Sequence, residues 1–294
     1  MKYQIGHKTT YTYASTVHQS YHLLHLSPRD VPHQTVSRHR LSIDPAPGSC
    51  FDGRDYFGNP YSVLNLEVDH TRLVVDSRSE IDVAANGAVD LGATCDWRVL
   101  SGENGGPNLG IDKDVAQYAA ASRHGPRLAA LREYAGPSFP AGRPVLEAVH
   151  HLMGRIYEDF TFDASATDVS TPVEDVLAAR RGVCQDFAHL MIAALRSLRL
   201  PARYVSGYIL TRPPDGQERL QGADASHAWV SAWSPETGWV DFDPTNNVIP
   251  HDEHITIAYG RDFDDVCPIS GVLLGGGAHT VEVAVDVVPL ATSP

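Results

Sequence analysis

The sequence predicts an α+β fold, with an N-terminal antiparallel β domain followed by helices packed on a second antiparallel sheet. Three observations predict it: strand patterning over residues 1–85, a switch to helical periodicity after a glycine-rich break, and a strand hairpin downstream of the helices. In the first stretch Tyr3, Ile5, Tyr11 and Tyr13 share one parity, and Tyr61 to Val68, Leu73 to Val75 and Ile81 to Val83 are short runs rich in β-branched residues. Pro45-Ala46-Pro47-Gly48 and Asp55-Tyr56-Phe57-Gly58-Asn59-Pro60 supply the fixed and permissive φ angles of tight turns between them. This reads as a small antiparallel sheet or sandwich, a β-sandwich-like domain over 1–100.

Residues 101–111 contain almost nothing to bury and read as a linker, leaving 112–294 as a second domain. Val145, Val149, Leu152, Met153 and Ile156 then recur at helical spacing. Thr171-Pro172-Val173-Glu174 predicts a helix start, with threonine as N-cap, proline at the first helical position and glutamate closing a capping box. Arg180, Arg181 and Gly182 end that helix, so the next begins at Val183 or Cys184. Ala278 to Leu290, with alternating valines, reads as a closing strand of the second domain.

Composition narrows the function. A net charge of −13 disfavours nucleic acid and anionic membranes as partners, because phosphate binding is built from clustered Lys and Arg. No run approaches the ~18 apolar residues of a membrane span, and Met1 to His7 lacks the apolar run of a secretory signal. A soluble, cytoplasmic protein is expected. Cys50, Cys95, Cys184 and Cys267 stand singly, without metal-ribbon or disulfide-scaffold spacing. The close histidine groupings, His18-His22-His25, His150-His151 and His251 with His254, match no zinc protease signature, so neither metal nor cofactor is expected.

Cys184 is the candidate nucleophile. Phe187, Leu190 or Met191, Ala194 or Leu195, and Leu198 continue an apolar stripe from it, which places it on the inward face of a helix. A lone cysteine there is often just a small packed hydrophobe. In the first helical turn, however, unpaired N–H groups and the helix dipole favour a thiolate and offer a donor to an oxyanion. Downstream, Ser226 to Trp233 and Gly238 to Asp243 read as a hairpin ended by Pro244. With a three-residue connection His227 is expected directly opposite Asp243; with five the aspartate moves by two residues on the same face. A carboxylate on one ring nitrogen fixes the tautomer that lets the other serve a thiolate. Asp243 is preferred to Asp241 for this role because it comes closer to opposing His227. Asp186 and His189 turn away from the stripe and read as structural or solvent-facing, whereas Trp229, Trp233 and Trp239 share the parity of His227 and either wall the site or form core.

Arg181-Gly182-Val183-Cys184-Gln185-Asp186-Phe187-Ala188-His189, Ala225-Ser226-His227-Ala228-Trp229 and Gly238-Trp239 through Asp243-Pro244-Thr245-Asn246 resemble, in order, the three motif blocks of the bacterial transglutaminase-like superfamily. The β region before them resembles the N-terminal domain of those proteins, and Tyr259-Gly260-Arg261-Asp262 with Asp265-Val266 extends the likeness. The resemblance implies a papain-like catalytic core in which Cys184, His227 and Asp243 form the triad. It implies acyl transfer through a thioester, on a peptide or protein substrate. Hydrolysis of peptide, isopeptide or amide bonds is the favoured outcome, with amine transfer or a non-catalytic peptide-binding module as alternatives. Gln185 stands where the eukaryotic cross-linking enzymes carry tryptophan, so their calcium dependence is not carried over.

Overall fold

The structure, a computed structural model, describes residues 1–85, 87–102, 112–211 and 226–290. Most of the expected linker, 103–111, lies outside the described residues. The first sheet is built by β1 (Lys2–Leu24), β2 (Gln34–Asp44), β3 (Ser49–Arg54), β4 (Pro60–Leu66) and β5 (His70–Val83). Strand β1 shifts register between Thr12 and Val17, so its two halves have different neighbours: Lys2–Thr12 pairs with β5, and Ser20–Leu24 with β4. Each half also faces a different core. Tyr3 and Ile5 join Ile81 and Val83 in the main core, whereas Tyr13, Val17 and Leu24 join Leu64, Leu66, Leu73 and Val75 in a second one.

The helical layer follows as α1 (Trp97–Ser101), α2 (Lys113–Ala116), α3 (Ala129–Ala135) and α4 (Val145–Asp159), then β6 (Thr161–Phe162), α5 (Val173–Ala179), β7 (Arg181–Gly182) and α6 (Cys184–Ser197). On α4 the residues that carry the helical spacing are all buried. Helix α6 is buried from Asp186 to Arg196, with α3, α4 and α5 packed against it as well as the second sheet, so its apolar surface runs almost all round.

That sheet is antiparallel, with β8 (Ala202–Ile209), β9 (Ser226–Ser234), β10 (Gly238–Phe242) and β11 (His254–Gly260) in the order β10-β9-β8-β11. The chain then returns to the first sheet. Strand β12 (Ile269–Gly275) pairs with the second half of β1, and β13 (His279–Leu290) with the first half. The closing strand expected within 112–294 therefore hydrogen-bonds into the N-terminal sheet. The long β1 offers an open edge on each half, and β12 and β13 occupy those edges.

The start of α5 differs from the expected cap. Pro172 is the N-cap, in an extended conformation, and Thr171 Oγ1 instead accepts from the Asp168 N–H at 3.0 Å. The helix ends on Arg180 with φ 57°, a left-handed conformation taken without glycine; its guanidinium is held 4.7 Å over Phe160 and 4.8 Å over Tyr134.

Two buried amide side chains join the sheets at the free edge of β11. Gln34 Nε2 donates to the Thr256 carbonyl at 2.7 Å while its Oε1 accepts from the Thr256 N–H at 2.9 Å. Asn59 does the same at Tyr259, at 2.7 and 2.8 Å. Each amide thus stands in for a missing strand residue, satisfying backbone groups that burial would otherwise leave unpaired.

Candidate active site

Gly182 and Asp186 explain how the chain delivers Cys184 to the first position of α6. The Asp186 carboxylate reaches back to accept from the Val183 N–H at 2.8 Å and from Thr167 Oγ1 at 2.6 Å. A β-carbon on Gly182 would lie 2.7 Å from Asp186 Oδ2, so only glycine leaves room for this lock. Asp186 is buried, and burial raises its pKa. Its role is structural hydrogen bonding, one of the two readings given to it above. His189 is likewise buried, stacked 4.9 Å from His124, with its Nε2 accepting from the Phe263 N–H; burial lowers its pKa to about 3.

Cys184 itself is half-buried at the edge of the main core, near enough to the His227 side chain to help raise its pKa. His227, at the start of β9, uses Nε2 for Asp243 Oδ2 at 2.7 Å, which leaves Nδ1 for the sulfur. The three sequence-predicted residues are therefore brought together. The register differs from the direct opposition expected: the connection has three residues, but it is 235–237, one step later than direct opposition requires, so Ser234 pairs with Gly238 and Asp243 lies diagonal to His227. The strand ends at Phe242, and Asp243 then pairs with Val248, its N–H donating to the Val248 carbonyl at 2.9 Å. This turn, which ends the strand at the Asp-Pro step, aims the carboxylate at the imidazole.

Asp243 is completely buried, and its two oxygens are saturated by donors. Oδ1 accepts from the Thr245 and Asn246 N–H groups at 2.9 and 3.3 Å; Oδ2 accepts from His227, from Asn246 Nδ2 at 2.7 Å and from His254 Nε2 at 3.0 Å. Burial, the largest influence, favours its neutral acid, yet the hydrogen bonds from His227 and His254 prevail and hold the carboxyl far below its usual range. Burial also opposes the His227 imidazolium, but hydrogen bonds and charges at Asp243 and Cys184 raise its pKa to about 10. Asp241, the carboxylate set aside, accepts from Trp229 Nε1 at 3.0 Å and takes no part in this network.

His254 is the site residue that sequence reasoning missed. It begins β11, two strands from β9, so only sheet order brings it to Asp243. Gly207 makes that approach possible. It sits on β8 opposite His227, and a β-carbon there would fall 2.2 Å from the Ile255 carbonyl and 2.4 Å from the Trp229 ring. The Trp229 indole occupies the space, tilted against His227 at 6.1 Å and edge-on to His254 at 5.2 Å. Of the three tryptophans, Trp229 backs the site; Trp239 lies under Arg203 at 4.3 Å and Trp233 packs on the main core.

A half-buried cysteine at a helix start, joined through one imidazole to a buried carboxylate on an antiparallel sheet, defines a protein of the papain-like and transglutaminase-like class. Residues 3–82 match the bacterial transglutaminase-like N-terminal region, and residues 134–244 match the transglutaminase-like superfamily. The chain belongs to that superfamily. It is 39% identical to the uncharacterized protein Rv2569c of Mycobacterium tuberculosis, over 98% of this chain and 93% of that one. A Pseudomonas aeruginosa protein-glutamine gamma-glutamyltransferase is 36% identical over 31% of this chain and 14% of its own length. The fold matches a Cytophaga hutchinsonii crystal structure named "Putative Cysteine Protease", with a TM-score of 0.76 and 23% identity over 100% of this chain and 93% of that one.

Proposed function

We propose that this protein is a cysteine hydrolase that cleaves peptide, isopeptide or amide bonds through a thioester on Cys184, with His227 and Asp243 completing a catalytic triad. The observation that carries the reading is the His227 ring, held by Asp243 through Nε2 and set beside Cys184, which together raise its pKa. The Cys184 thiolate attacks the acyl carbon, and the C–N bond breaks as the His227 imidazolium gives its Nδ1 proton to the leaving amine. Asp243 keeps the ring oriented and offsets its charge throughout. Water, deprotonated by the now neutral ring, then adds to the thioester, and the carboxylic acid leaves as the thiolate returns.

If an amine rather than water adds in the second half, the same intermediate yields a new amide, as expected of an enzyme such as the Pseudomonas aeruginosa relative, whose name specifies glutamyl transfer. The test incubates wild type and Cys184→Ala with a peptide library, with and without a primary amine, and reads products by mass. Cleaved or deamidated products in wild type alone support hydrolysis, and amine adducts support transfer. Turnover surviving in Cys184→Ala overturns the mechanism.

A further inference from the structure

We propose that His227 Nε2, Asp243 Oδ2 and His254 Nε2 form a binding site for one divalent transition-metal ion of the zinc type, and that the ion holds the enzyme off. The inference rests on the catalytic reading only for its consequence, since the site itself is a matter of donor atoms and their placement.

Two imidazole nitrogens and a carboxylate oxygen are a donor set suited to zinc or cobalt. The three atoms come from β9, from the turn after β10 and from the start of β11, and all lie within 4.8 Å of one another. Ligands around a tetrahedral zinc with bonds near 2.1 Å stand roughly 3.4 Å apart, by simple geometry from those bond lengths. The carboxylate oxygen lies 2.7 and 3.0 Å from the two nitrogens, so the three need shift only locally around an ion.

The surroundings favour a metal over a structural ion pair. Among the described residues no lysine or arginine pairs with Asp243; its charge is met by imidazoles, whose Nε2 hydrogens an ion can displace. The carboxylate is anchored from behind by two backbone N–H groups on Oδ1, and His254 is braced by the Trp229 edge, the kind of outer support that fixes metal ligands. Asn246, whose Nδ2 donates to Oδ2 at 2.7 Å, is the donor that an ion would displace together with the two imidazole hydrogens.

An ion on His227 Nε2 leaves that ring a single proton, on Nδ1 toward Cys184. Giving it to a leaving amine would create a metal-bound imidazolate rather than a neutral imidazole, so the acid step is blocked. Cys184 is not a ligand in this arrangement, because its sulfur is not among the donor atoms gathered there.

Calorimetric titration of zinc chloride into the Cys184→Ala protein tests the site without turnover. One ion per chain is expected, with affinity falling by more than about 100-fold in Cys184→Ala/His254→Gln, beyond the effect of losing a mere supporting hydrogen bond. Equal affinity in the two proteins, or no one-to-one binding in Cys184→Ala, overturns the proposal. Cobalt(II) titrated into folded wild type provides a second measurement that needs no histidine variant. A visible spectrum from nitrogen and oxygen ligands supports the site, and a thiolate-to-cobalt charge-transfer band overturns it. Inactive wild type that binds one zinc would defeat the catalytic reading alone, whereas active enzyme that binds none would defeat only this proposal.

Discussion

Replacing Asp243 by asparagine tests the central geometry most directly, with Asp241→Asn as its partner experiment. Asp243 Oδ2 takes hydrogen bonds from His227 at 2.7 Å, Asn246 at 2.7 Å and His254 at 3.0 Å. An asparagine either turns an NH2 group toward those three donors or keeps one neutral oxygen there and faces its NH2 toward the backbone N–H groups of Thr245 and Asn246. A hydrogen bond to a charged group contributes about 1.5–3 kcal/mol, and a buried donor left unmatched costs about 1–3 kcal/mol. Together these predict a loss of about 3–5 kcal/mol in stabilising the imidazolium, hence about 10²–10⁴-fold in kcat/KM. Asp241→Asn keeps an oxygen for Trp229 Nε1, so its cost is below about 1 kcal/mol, or about fivefold. A substrate-independent assay is the pH profile of Cys184 alkylation by iodoacetamide, read by mass. The acid limb of the profile should move to higher pH in Asp243→Asn and stay in place in Asp241→Asn. Cys50, Cys95 and Cys267 are separable because their thiol pKa values are all raised by burial, that of Cys95 to about 11. A larger defect in Asp241→Asn, or an unshifted profile in Asp243→Asn, refutes the assigned triad.

Stability should fall on both sides of neutrality for separable reasons. His227 is raised to about 10 in the fold, so what it contributes is complete below its unfolded value of about 6.5 and lost as pH rises toward 10; His227→Gln should flatten that alkaline slope in urea titrations. His189 is buried neutral with its pKa lowered to about 3, so its contribution is present above about 6.5 and lost as pH falls; His189→Gln should flatten the acid slope, and an unchanged slope would count against this assignment. Gln34→Ala and Asn59→Ala each strand one buried backbone N–H and one C=O of β11, and should each lower unfolding free energy by about 2–4 kcal/mol, measured by urea midpoint. Gly207→Ala forces a β-carbon against the Ile255 carbonyl and the Trp229 ring, with a predicted cost of about 1–3 kcal/mol and a fall in Cys184 alkylation rate; wild-type values for both would show that this contact relaxes freely.

Local pattern made much of this site legible in the sequence. The start of α6 followed from the apolar stripe running back to Cys184 and from the helix that must end before it, and the pairing of His227 with a carboxylate followed from strand parity. Parity left the register open, and the diagonal placement of Asp243 comes from where the three-residue connection sits and from a turn that strand pattern does not specify. The cap of α5 failed for a related reason: the Thr171 hydroxyl had another donor available, the Asp168 N–H, and Pro172 took the cap position instead. His254 and the partners of β12 and β13 depend on which strands lie side by side, and neither periodicity nor spacing carries that information.

The N-terminal sheet is mechanically part of the site, although none of its residues belongs to the proposed triad. It grips β11 through Gln34 at Thr256 and Asn59 at Tyr259, and it reaches the same region through Tyr3, whose hydroxyl donates to the Asp252 carbonyl at 2.9 Å. His7 of β1 meets the Tyr208 hydroxyl at 2.6 Å, on the strand that separates β9 from β11. His254 opens β11 between two of these grips, two residues from Asp252 and two from Thr256. Its bond to Asp243 therefore transmits the position of the first sheet to the carboxylate that orients His227. A free edge strand without those grips would fray first at its start, where it carries the His254 ring that approaches Asp243 from outside the hairpin. On this argument β1, β2 and the turn before β4 set the geometry around Cys184 from the first sheet, and Gln34→Ala should lower kcat/KM as well as stability. An activity loss in Gln34→Ala that vanishes once the remaining folded fraction is counted would limit the first sheet to a structural role.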